Sequence, residues 1–235
     1  MVAILEEIKI EFKQRSEYVM NAMGEVFCEV ILDSTYVFKK GKIYGIVCEQ
    51  GEGGEYISGI MTGRVLGKRE KVFIDNIETS LKVVQEKAWY VGKKEYGRFR
   101  KEISARQALN RAIKLQEIYK STDEVIDKFA LTRDRLLYKI SNYSGEKWRV
   151  SLAIGCASQK EIFCFPWMNT AFFNHIMLSS GVYRFFKEMK KDGKIIILPT
   201  SRKENVEGIV DEIIKINNPS YKYVATEHED FKRYF

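Results

Sequence analysis

The residues best placed to do chemistry gather in one short window. Cys48-Glu49-Gln50-Gly51-Glu52-Gly53-Gly54-Glu55 joins the apolar run Lys42–Val47 to a short helical pattern that Gly63 can end. In a strand–glycine loop–helix unit, successive backbone N–H groups can converge on phosphate oxygens. Such chemistry also needs a lysine for the outer oxygens and a hydroxyl for Mg²⁺. This window supplies neither and carries three carboxylates, Glu49, Glu52 and Glu55. A unit negative charge ~4 Å from a phosphate costs about 4 kcal/mol at an effective dielectric of 20. The same carboxylate at a helix N-terminus gains roughly 0.3–1 kcal/mol from the macrodipole. The expectation is therefore that Glu55 stands in for the missing anion and that the loop calls for no cofactor.

Other chemistries find less support. A cysteine enzyme needs a thiolate beside a histidine; Cys164 lies in an apolar run with His175 eleven residues on, and nothing fixes their geometry. Cys48, in its glycine setting, reads as the exposed thiol. Two histidines and four scattered cysteines give no zinc spacing, so no metal site and no catalytic residue is assigned. Without a CxxC pair or an apolar leader, the chain reads as a cytoplasmic protein with reduced thiols. The net charge of +7 favours anionic partners. Lys93–Lys101 (KKEYGRFRK) interleaves cations with aromatics, a pattern that serves nucleic acid or a solvated loop. The longest aliphatic run, Ile195–Leu198, is far short of the ~20 residues of a membrane span.

The elements that must position the loop can be read from periodicity. Within 235 residues, 45% hydrophobic and 30% charged, one large domain with a modest insertion fits and disorder does not. Three prolines, Pro166, Pro199 and Pro219, stand where average usage predicts roughly twelve. The first third reads as strands: Ile4–Phe12, Phe27–Ile31, Thr35–Phe38, Lys42–Val47 and Val72–Ile74, then Trp89–Val91. Capping boxes at Ser104–Gln107 and Ser121–Glu124 open two helices, and a third runs Arg133–Ile140. The rest alternates: helix Arg149–Ala157, strand Ile162–Phe165, helix Phe172–Lys190, strand Lys194–Leu198, helix Lys203–Ile216, strand Tyr221–Thr226. Strands apolar throughout predict a parallel sheet covered on both faces.

These pieces, in this order, resemble the ATPase subunit of an ABC transporter over nearly the whole chain, from about residue 4 to residue 216. TYVFKKGKIYGIV is similar to the approach to that family's P-loop, or Walker A loop. YSGEKWRVSLAIGCASQKEIFCF is similar to its signature helix and Walker B strand, and GKIIILPTS to the strand and switch loop that normally ends in histidine. The resemblance implies an α/β, P-loop NTPase-like core with an amino-terminal antiparallel β subdomain and an inserted helical lobe. It divides the chain into 1–92, the β subdomain and first part of the core; 93–147, the lobe; and 148–235, the second part of the core.

Against G-x-x-x-x-G-K-[ST], the family's lysine position holds Gly54 and its Mg²⁺-binding hydroxyl position holds Glu55. The Gln-loop glutamine falls near Lys93. The signature LSGGQ is represented by Tyr143-Ser144-Gly145-Glu146-Lys147 with Arg149 following, or this segment is a loop before a helix. Pro166 replaces the Walker B aspartate, Trp167 the general-base glutamate, Phe173 the D-loop aspartate and Ser201 the switch histidine. Ser201–Glu204 also reads as a capping box. Tyr18 is either the aromatic that stacks on adenine or an ordinary tyrosine.

What the resemblance implies is a catalytically inactive subunit, a binding or regulatory partner of a membrane permease or of an active ATPase subunit, or a homodimer. Gly51, Gly53, Gly54 and Glu55 form the degenerate nucleotide loop, and Ser144 and Gly145 the degenerate signature. Lys93, Tyr96 and Phe99 fall on the surface that docks on a permease at the inner face of the membrane. The alternatives are a subunit that still binds ATP and Mg²⁺ in a non-standard way, and a basic nucleic-acid-binding protein; nucleic acid is not the expected partner.

Overall fold

Runs that are apolar at every position need cover on two sides, and they receive it. The computed structural model describes residues 5–21, 24–67, 69–97, 99–116, 119–143 and 145–217. Strand β5 (Ile43–Val47) lies between β10 (Ile195–Thr200) and β11 (Glu212–Lys215), and β9 (Ile162–Cys164) and β8 (Ala88–Tyr90) continue the sheet beyond β10. All four pairings are parallel. Side-chain alternation splits these strands between two cores. Tyr44, Ile46, Ile162, Cys164, Ile195 and Ile197 enter one, and Ile43, Phe163, Ile196 and Leu198 the other.

The first core is closed by an antiparallel sheet ordered β4-β1-β6-β7, made of β1 (Glu7–Phe12), β4 (Ser34–Lys39), β6 (Lys71–Ile74) and β7 (Ile77–Thr79). In β1 the alternation is plain: Ile8, Ile10 and Phe12 are buried while Lys9 and Glu11 are not. Helix α1 (Gly54–Met61) belongs to this core and is buried at all eight positions. A separate two-stranded hairpin, β2 (Arg15–Met20) with β3 (Val26–Ile31), packs against α1. Helix α2 (Leu81–Lys87) leads into β8.

The second core is covered by α3 (Ala105–Gln116), α4 (Thr122–Lys128), two 3₁₀ turns at Arg133–Leu137 and Ile140–Asn142, and α5 (Lys147–Ala157). The capping box at α3 forms reciprocally: Ser104 N–H donates to Gln107 Oε1 at 3.0 Å and Gln107 N–H to Ser104 Oγ at 3.3 Å. Ser121 caps α4 by accepting from Glu124 N–H.

Three expectations need correction. The long helix Phe172–Lys190 is α6 (Thr170–Asn174), a π turn at His175–Ser179, a 3₁₀ turn at Val182–Phe185 and α7 (Phe186–Lys191); Gly181 at φ 67° makes the break. The helix Lys203–Ile216 stops after α8 (Lys203–Val206), and Gly208 at φ 82° redirects the chain into edge strand β11. Arg202 occupies the N-cap of α8 without a side-chain hydrogen bond, so the Ser201 capping box does not form. The hairpin strand β2 was not expected, and Tyr221–Thr226 lies outside the described residues.

Candidate functional site: an occupied phosphate-type loop

At the carboxyl end of β5 the chain turns through Gly51 (φ 95°) and Gly53 (φ 106°), conformations that favour glycine and turn backbone N–H groups toward a common point ahead of α1. The turn is fixed from within. Cys48 N–H donates to Thr200 O at 3.0 Å, and Glu49 N–H to the Glu52 carboxylate at 2.7 Å. Cys48 is buried, and burial pushes its thiol pKa well up, so it is neither exposed nor a thiolate.

The segment after β9 closes over this turn. Trp167 donates its indole N–H to Cys48 O at 3.0 Å and its backbone N–H to Glu55 at 2.7 Å. Glu55, 1% exposed, also accepts from the Tyr90 hydroxyl at 2.5 Å. Burial raises its pKa to about 7, against the opposing pull of Tyr90, the Trp167 N–H and Arg64. The Ser58 hydroxyl donates to Phe165 O at 2.6 Å, tying α1 to the end of β9. Position 54 has no room for a side chain: a Cβ there would lie 2.6 Å from Cys48 Sγ, 3.0 Å from Trp167 Cδ1 and 3.2 Å from Pro199 Cβ.

Glu55 is therefore not the anion in the cradle, because its carboxylate is committed to Tyr90 and Trp167. The cradle is filled by the carboxyl group of Glu29 of β3, fully buried, with Tyr56 N–H donating to its Oε2 at 3.4 Å. The amides of Gly53, Gly51 and Glu55 face it and draw its pKa down, but burial, reinforced by the nearby Glu55 carboxylate, leaves it raised well above the usual range. A sequence signal for Glu29 exists: it shares a strand face with Phe27 and Ile31, an acid where the alternation of VFCEVI asks for an apolar residue.

The remaining candidates lie apart from the loop. Gly145 sits against Ser180 and His175, and Ser144 falls outside the described residues. Glu146, its buried neighbour, accepts from Thr132 N–H at 2.6 Å and lies 3.5 Å from Arg135 and 3.7 Å from Arg149, which anchors this loop in the helical lobe. Lys93 places its amine 3.7 Å from the Trp89 ring centroid and 3.3 Å from Glu95. Tyr96 bridges Glu102 and is half exposed, and Phe99 is 81% exposed. Phe173 is buried in the second core. Ser201 N–H donates to Met168 O at 3.0 Å, binding the two strand-end segments together. Tyr18 is 55% exposed on the hairpin. Among the described residues, no group of three or more His, Cys, Asp or Glu side chains could hold a metal ion.

No protein-family model and no curated protein matches the sequence. Solved structures do. CbiO1 from Clostridium perfringens, part of the ABC transporter complex cbiONQ, superposes with a TM-score of 0.63 at 15% identity, covering 91% of this chain and 86% of its own. An ATP-binding subunit of an ABC transporter gives the same values. The dimeric ATP-binding cassette MJ0796, in a post-hydrolysis state bound to ADP and Pi, gives 0.60 at 18% identity, covering 89% and 94%. The fold is that of ABC transporter ATP-binding subunits.

The ABC ATPase fold overturns the expectation that no cofactor belongs to this loop, since the structures that share it are ATP-binding subunits, one of them holding ADP and Pi. In the arrangement described, however, the residues do not fit a phosphate: the Glu29 carboxylate stands where its oxygens would meet the amides of Gly51, Gly53 and Glu55.

Proposed function

We propose that this chain is a non-hydrolytic ABC ATPase-type subunit, serving as a binding or regulatory partner of a membrane permease, of an active ATPase subunit, or of a second copy of itself. The observation that carries this reading is the placement of Trp167. It takes the position where the resembled family carries its general-base carboxylate, and both of its N–H groups are used to close the loop onto Cys48 and Glu55. A group spent in this way holds structure and does not orient water. The neighbouring Pro166 offers no side-chain oxygen for a metal, and Glu55 is locked to Tyr90. Gly51, Gly53, Gly54 and Glu55 then act as a holding loop, and any nucleotide is bound without hydrolysis. Ser144 and Gly145 would face the second subunit, with the chain acting from the inner face of the membrane; no helix among the described residues is long and apolar enough to cross one.

Docking of a permease is assigned to the loop that carries Lys93, Tyr96 and Phe99, where aromatic surface is left in solvent. Phosphate release from Mg-ATP by the purified chain tests the central point. The expected rate is indistinguishable from a no-protein control, both alone and in an equimolar mixture with a hydrolysis-dead ABC subunit. Sustained turnover near the ~1–10³ s⁻¹ of ordinary enzymes would overturn the reading.

A further inference from the structure

A completely buried carboxylate with an unused oxygen needs a reason. Glu29 Oε1 is inaccessible to solvent and has no hydrogen-bond partner among the described residues, while Oε2 accepts from Tyr56 N–H at 3.4 Å. Stranding a polar atom in this way is costly unless something else holds it there. What surrounds Glu29 is a set of converging amides, those of Gly51, Gly53 and Glu55, at the start of an eight-residue helix. Two independent features thus meet: a loop shaped for an anion, and a buried carboxyl group with an unpartnered oxygen aimed into it.

The part of the chain that delivers Glu29 belongs to neither of the two larger sheets. Strands β2 and β3 form a sheet of two, paired only with each other. An isolated two-stranded hairpin is marginal in water, so its position depends on its tethers. Those include Val30 N–H donating to Gly51 O at 2.7 Å, Arg64 donating to the carbonyls of Met20 at 3.2 Å and Asn21 at 3.4 Å, the ion pair of Arg15 with Glu70, and the buried side chains of Val19 and Ile31. Its outer strand leaves Tyr18 and Met20 about half exposed. Over Gly53 the nearest atoms a side chain would meet are Val30 O at 3.8 Å and Glu29 Oε2 at 4.0 Å, so the hairpin itself forms the lid of the cradle.

We infer that the β2–β3 hairpin is a built-in plug, with the Glu29 carboxyl group resident in the phosphate-type loop, so that a polyphosphate enters only by displacing the hairpin. The inference rests on the proposed function only in naming a nucleotide's phosphate chain as the natural competitor. It accounts for the conflict between a fold shared with ATP-binding subunits and a loop already filled, because the same amides serve either the Glu29 carboxyl group or a phosphate but not both.

The test is isothermal titration of the full chain with inorganic tripolyphosphate. Glu29→Ala is expected to bind at least tenfold more tightly than the unsubstituted chain, and Glu29→Gln, which keeps the bulk but cannot ionise once the hairpin is displaced, to fall between them. Equal affinity in whichever of these variants retains the native melting transition overturns the plug. Hydrogen exchange of the unsubstituted chain supplies a reading free of any substitution: saturating tripolyphosphate should speed exchange across Arg15–Met20 and Val26–Ile31. Unchanged or slower exchange there with the ligand bound overturns it too. ATP turnover by the unsubstituted chain would remove the non-hydrolytic reading and leave the plug standing, whereas equal tripolyphosphate affinities remove the plug and leave that reading.

Discussion

Two buried glutamates, twenty-six residues apart in sequence, set the electrostatics of the loop. Glu55 is the more tractable, because its partners are known and its pKa is raised to about 7. Between its ordinary value of 4.5 and about 7 the native state holds a proton that the unfolded state has released. Unfolding free energy therefore falls as pH rises through that window, by on the order of 3 kcal/mol in all. Glu29, raised by burial, acts in the same direction. Glu55→Gln keeps an acceptor for the Trp167 N–H and does not titrate, so its urea midpoint should fall less than that of the unsubstituted chain between pH 5 and pH 8. Parallel profiles for the two proteins would refute the assignment. The sequence disclosed Glu55 as a charge in the wrong place but not where it turns, since its partners Tyr90 and Trp167 come from strand ends 35 and 112 positions away. Glu29 was legible only as a break in strand alternation, and which buried surface it faced depended on the placement of a hairpin whose first strand had not been recognised.

Among the elements, those with local signals were legible. The reciprocal Ser104–Gln107 cap and the uniformly apolar β9 and β10 appear where the sequence places them. The failures cluster where a short apolar run suits either period. Val210, Ile213, Ile214 and Ile216 fit a helix face on paper, but Gly208 breaks the helix and the β-branched run pairs with β5 at the sheet edge. Gly181 acts similarly within the expected long helix. At the start of α1 the constraint is space and not backbone conformation. Gly54→Ala should therefore destabilise by roughly 1–3 kcal/mol through overpacking against Cys48, Trp167 and Pro199. That corresponds to a lower melting temperature by about 2–4 °C per kcal/mol for a chain of this size. Gly54→Lys, which restores the family's P-loop lysine, should lower it further; a melting temperature equal to that of the unsubstituted chain would show that Trp167 can move aside.

Over the whole molecule, a parallel sheet separates two cores, with the antiparallel sheet and α1 on one side and the helical lobe on the other. Order and alternation made that plan readable from the sequence. The docking proposal belongs to this scale. Phe99 is 81% exposed and Tyr96 50%, so the double variant Tyr96→Ala, Phe99→Ala should change the melting temperature by less than a degree or two. It should also abolish co-sedimentation of the chain with membranes that carry the proposed permease partner. Retained co-sedimentation would place the docking surface elsewhere.

The three tryptophans are distributed unequally with respect to the loop. Trp89 and Trp148 are sealed in the second core, whereas Trp167 is partly solvent-accessible and holds the Cys48 carbonyl at the loop's edge. Nature has in effect placed a fluorophore at the doorway. Its emission wavelength and its accessibility to a collisional quencher such as iodide will follow opening of this region, while the two interior indoles provide a constant background.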